Sequence, residues 1–447
     1  MSQQGSRRGT PDGARAAPAP HGWAQALAAV AAGLTALIGT AALGVWAAGA
    51  PGLPAGAYPH VVSAVAVLAA GGTVELTGSA GAAAGAEARL TAVPLSVTLA
   101  GALALAGGFL RPLRHRAVTG TGELAGWAGR IAVLWAVGLI ALAAHARRSF
   151  AVRPGGTLSD LGELLGTTPR VGFRADVPLT VVLGLLWLAG LLLLTLAVSR
   201  GAPLPARLVR FQEPVRPAAH AMVVLLLVCV ALGVVAALVV AVTRGHPTET
   251  LAVVLLGLPN LVWLALTLGL GASWDGRAEG PFGLPVPRLL EQVLRIPEGG
   301  TLDLRTLSAH DGRVWWLLAG AALLLLGAAV GAAARSPART RLWRHALRMA
   351  VALVLTVLLI CLTVRVRAHS GLSLLGLGDL GGGLSAELSL TPRLWSALGL
   401  AALWGLATGC LGALVARPFH RRGDTGAGRE GDPSRGAGAR QGPEDGP

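Results

Sequence analysis

Lysine is absent from the sequence, so the net charge of +15 is carried by arginine alone. Mechanisms that need a lysine, whether as Schiff base, nucleophile or phosphate-loop cation, are excluded at once. Charge of either sign is scarce: 13% of the 447 residues are charged, against about 25% in soluble chains. There are only three cysteines. Cys229, Cys361 and Cys410 each lie inside an apolar run, with no second cysteine or histidine at ligand spacing. They read as packing residues rather than as a disulfide or metal site. No HExxH, GxSxG or Walker pattern is present, and the ten histidines include no pair four apart. The arginines are not interleaved with aromatics, so no nucleic-acid stripe is formed. A chain rich in Ala, Gly and Arg without lysine instead reflects a GC-rich genome. The expectation is a non-enzymatic chain with no cofactor, no metal and no nucleic-acid partner.

What the chain does have is long apolar runs. Hydrophobic residues make up 53% of it, and runs beyond about 18 residues span a bilayer as helices. Eight such spans are read at 23–49, 90–110, 127–146, 178–198, 218–243, 314–334, 346–365 and 394–416. Trp23, Trp46, Trp127, Trp315, Trp316, Trp343 and Trp395 fall near span ends, where an aromatic belt lies. Residues 1–22 and 417–447 are polar, basic and rich in Pro and Gly, and read as disordered cytoplasmic tails flanking a membrane domain at 23–416. A cleaved signal peptide is the rival reading of residues 1–50, but its apolar stretch is longer than an h-region.

Two stretches are ambiguous. Residues 60–74 are too short to cross as a helix. Residues 251–272 are long enough but contain Pro259 and Asn260 in mid-run. They read either as a re-entrant pair of half-helices or as a kinked full span. If both stretches cross, there are ten spans; if neither does, eight.

Recurrent loop sequences bear on the choice. "GGTVEL" at 71–76 resembles "GGTLDL" at 299–304, with looser copies "GGTLSDL" at 155–161 and "GGLSAEL" at 382–388. Each precedes alternating polar and apolar residues, as in a half-buried strand, and then a span ending in arginines. The chain therefore reads as an all-α polytopic membrane protein of about eight transmembrane helices, in four helical-hairpin repeats capped by short extracytoplasmic β-strands. Equivalent loops on one face require eight spans. Lone strands at a membrane surface leave unpaired backbone groups, so the four are expected to pair with one another in a sheet. The long outer loop, 244–313, is expected to carry an amphipathic helix at 286–296, with Val286, Leu289, Leu290, Val293 and Leu294 on one face.

Candidate functional residues are few. None of the 22 acids lies in a span, although ion-coupled carriers keep an ionisable group near midplane. The broken segment at Pro259 and Asn260 is the candidate substrate or packing site, since half-helix ends can present backbone dipoles to a ligand. Glu75, Asp160, Asp303 and Glu387 recur in the four loops and could form an acidic ring. "GLATG" at 405–409 and "GAAVG" at 327–331 are GxxxG motifs, suited to a homo-oligomer, a membrane partner or packing within one bundle.

The stretches "GGTVELTGSAGAAAGAEARLTAVPLSVTLAGALALAGGFLRPLR" and "LGLPNLVWLALTLGLGASW" resemble the streptophobe family of actinobacterial integral membrane proteins, with a looser likeness over most of 23–416. The resemblance implies a multi-pass protein of the bacterial plasma membrane and assigns no activity or catalytic residue. A structural or accessory role is the first expectation, and transport through the 251–272 break the alternative.

Overall fold

A computed structural model describes residues 22–49, 56–80, 84–115, 121–151, 170–199, 206–245, 247–279, 300–336, 341–374 and 386–427. Segments 155–161 and 286–296 and residue Asp160 lie outside them. Eight helices are long and apolar enough to cross a membrane. They are α1 (Trp23–Ala47), α3 (Leu95–His115), α4 (Thr121–His145), α5 (Val177–Val198), α6 (Ala206–Arg244), α10 (Trp315–Ala334), α11 (Leu342–Val364) and α12 (Leu394–Ala427). Four shorter helices, α2 (Tyr58–Ala69), α7 (Pro247–Leu256), α8 (Leu258–Gly269) and α9 (Leu304–His310), complete the helical set. The chain is an integral membrane protein. α3 begins at Leu95 rather than 90, because residues up to Thr91 belong to a strand, and α12 runs past the expected boundary at 416.

The strands are β1 (Val74–Ala80), β2 (Ala84–Thr91), β3 (Arg147–Ala151), β4 (Arg170–Ala175), β5 (Trp274–Glu279), β6 (Gly300–Leu302), β7 (Val366–Leu374) and β8 (Ala386–Pro392). Each of the four loops contributes two strands rather than one. All eight join one sheet in the order β3-β4-β1-β2-β7-β8-β5-β6. Neighbours are antiparallel throughout. This excludes ten spans. That arrangement would put a bilayer between the first two loops and the last two, yet β2 and β7 pair from Ala84↔Leu374 to Thr91↔Arg367.

Alternation along the strands gives the sheet two unlike faces. Val74, Ala175, Trp274, Leu302 and Leu390 point one way and are buried on the helix bundle. The register places Arg147, Arg174 and Glu75 in one cross-strand row of the other face. The sheet therefore lies on the bundle by its apolar side and presents a polar one away from it.

The repeat is a doubling of a larger unit. "YPH" at 58–60 and "LPN" at 258–260 each start a short helix, α2 or α8, with proline in its first turn. Both helices end at a glycine of φ +89°, Gly71 and Gly271, a conformation that a side chain disfavours. A Cβ on Gly71 would meet Leu183 of α5 at 3.8 Å, and one on Gly271 would meet Leu400 of α12 at 3.7 Å. The helix pairs α1–α3, α1–α4, α2–α4 and α4–α5 recur as α6–α10, α6–α11, α8–α11 and α11–α12. The sheet order is likewise that of one half repeated by the next. The likeness of "GGTVEL" to "GGTLDL" is thus not an equivalence of place. The first enters β1 from α2, whereas the second forms β6, a returning strand followed by α9. The structural counterpart of "GGTVE" is "GASWD" at 271–275.

The two halves have separate cores. Leu37, Phe109, Trp127, Ile131 and Trp135 centre the first, and Leu325, Met349, Leu353, Val357 and Ile360 the second. Trp127, expected at the membrane surface, is fully buried and stacks on Phe109 with ring centroids 6.5 Å apart. Its place near a span end suited a belt, but α4 begins six residues earlier, at Thr121, and draws it inward. Across the junction, α1 meets α7, with Gly44 against Leu255 and Leu256.

Candidate functional site

The broken segment is bent by 73° between α7 and α8. The break falls at Gly257 (φ −134°), which caps α8. Pro259 therefore does not kink a continuous helix, as its mid-run position suggested. It sits in the first turn of α8, where the missing N–H costs nothing. Of the two readings of 251–272, the re-entrant one fits. α6 arrives at the sheet side, α8 leads into β5, and Val254 and Asn260 both bond to the start of α3 at that side.

Asn260 fastens the halves together. Its Nδ2 donates to the Val93 carbonyl at 2.9 Å, and its Oδ1 accepts from the Leu95 N–H at 3.1 Å. Leu95 opens α3, so a side chain from the second half satisfies a free amide at a helix start in the first. The Ser96 hydroxyl donates to Val254 O at 2.7 Å, a second link across the same junction. Replacing Asn260 with alanine strands a part-buried amide and a carbonyl. It should lower stability by about 2 kcal/mol, read as a lower thermal midpoint of the detergent-solubilised protein.

The matching position in α2 is His60, and it has a similar task. Its Nδ1 lies 2.7 Å from the His145 carbonyl, its ring stacks on His145 at 4.3 Å, and Arg148 Nη1 lies 3.3 Å from Nε2. α2 and α8 are thus tied, through their third residue, to backbone at the end of a neighbouring element.

Among the described residues, Glu75, Asp303 and Glu387 do not form a ring. The Asp303 carboxylate accepts from Thr306 N at 2.7 Å and caps α9. Glu75 and Glu387 lie on β1 and β8, three strand spacings or about 14 Å apart. Among the described residues no group of three or more His, Cys, Asp or Glu could hold a metal.

An open groove of about 330 Å³, foreshadowed by no motif, lies on the polar side of β5, β6 and β8. Asp275, Arg277, Thr301, Ser389, Thr391 and Arg393 line it. Arg393 clasps Asp275: Nε lies 3.0 and 3.1 Å from the two carboxylate oxygens, and Nη2 lies 2.8 Å from Oδ1. This hydrogen bond and the carboxylate charge push the Arg393 guanidinium further up, so it stays cationic at any working pH. Arg393 Nη2 also approaches Thr301 Oγ1 at 3.5 Å. Two guanidiniums against one carboxylate leave the lining net positive. The groove was hidden because its residues come from three strands, with β8 more than eighty positions beyond the other two, and only the register assembles them. No protein-family model, curated protein or solved structure matches this chain.

Proposed function

We propose that the chain is a non-enzymatic, accessory protein of the bacterial plasma membrane whose extracytoplasmic sheet docks a partner. Its likeness to the streptophobe family, carried by the residues quoted above, belongs to the same proposal. The observation that carries the reading is the polar face of a sheet continuous over both halves. An eight-stranded platform exceeds what four loops need merely to turn the chain around. Arginines at the opposite end of the bundle, among them Arg111, Arg216, Arg335, Arg341, Arg344 and Arg348, support cytoplasmic termini by the positive-inside tendency. Flux through the break is the weaker reading, since both polar atoms of Asn260 already bond to backbone.

Two experiments test this. With the native cysteines replaced, single cysteines at Thr77, Asp275, Thr301 and Thr391 should all react with a membrane-impermeant maleimide in intact cells. Failure at all four would place the sheet in the cytoplasm, and a mixed result would break the sheet itself. Photo-crosslinkers at Thr77 and Arg89 should then capture one defined protein, whereas crosslinkers at lipid-facing Leu186 should not. Identical capture patterns from all three positions would end the docking reading.

A further inference from the structure

We draw no further inference here: the strongest candidate, the His345 side chain buried near the start of α11, whose Nε2 has no hydrogen-bond partner among the described residues, carries nothing, because nothing in the structure shows what would bind there.

Discussion

Replacing Gly405 with leucine should cost about 3 kcal/mol and strip the solubilised protein of its monodisperse, thermally cooperative form. A Cβ at this position would lie 2.4 Å from Ala350 Cα and 2.9 Å from Ala350 N, backbone atoms that cannot swing aside. One turn on, Gly409 meets Ala346 Cα at 2.7 Å. The glycines of "GLATG" thus seat α12 against Ala346 and Ala350 of α11, small residues facing small residues at one-turn spacing. Van der Waals contact and close backbone approach drive such packing in lipid, where apolar burial supplies little. Of the uses foreseen for that motif, packing within one bundle is the one observed. "GAAVG" differs: nothing lies within 4 Å of a Cβ on Gly327, and only the Arg335 side chain comes within that distance at Gly331. Gly327→Leu should leave the stability within about 0.5 kcal/mol of the parent, read as a nearly unchanged thermal midpoint. If it instead changed the mass by light scattering while the midpoint held, that face would be the contact between copies.

Trp274→Ala should be of similar size, about 3–5 kcal/mol. The indole is fully buried where β5 leaves α8, and it packs among the second-half core residues with Leu302, Leu307 and Leu390. Its Nε1 donates to Thr267 Oγ1 at 3.1 Å, and that hydroxyl donates to the Leu264 carbonyl at 2.8 Å. One ring therefore joins the re-entrant helix, the sheet and the bundle. Truncation opens a void that three elements must collapse into. Trp274→Phe keeps most of the volume and loses the hydrogen bond, for about 1 kcal/mol. Thermal unfolding followed by tryptophan fluorescence, with near-ultraviolet circular dichroism as a second probe, ranks the two. Equal midpoints for alanine and phenylalanine would show that the cavity is not what matters.

The spans were legible because a bilayer imposes a length on every crossing helix, and runs such as 178–198 have no competing interpretation. The strands were legible from alternation in segments such as 384–391. Their number was not: alternation marked the strands that lead into returning spans, whereas an outgoing strand such as β3, "RRSFA", is five residues long, follows almost directly on α4 and shows no alternation of its own. The site was less legible still. Pro259 and Asn260 drew notice as breakers inside an apolar run, and a breaker inside a run looks the same as a proline that begins a new helix. Asn260 gains its meaning from Leu95, 165 positions away. The true repeat went unseen for a related reason. Tyr58-Pro59-His60 and Leu258-Pro259-Asn260 share only proline, whereas the matching glycine pairs of "GGTVEL" and "GGTLDL" caught the eye while lying in different parts of their units.

Repetition of one half after the other along the sheet has a mechanical corollary. A two-fold axis would have sealed the assembly upon itself; a displacement does not, and the join between β2 and β7 could in principle be made again at either flank. The flanks differ from the join. Where β2 offers eight residues for pairing, β6 offers three, and the opposite flank opens with Arg147 and Arg148, charges suited to discouraging strand addition. Among the described residues, both terminations thus offer less for strand addition than the internal join does.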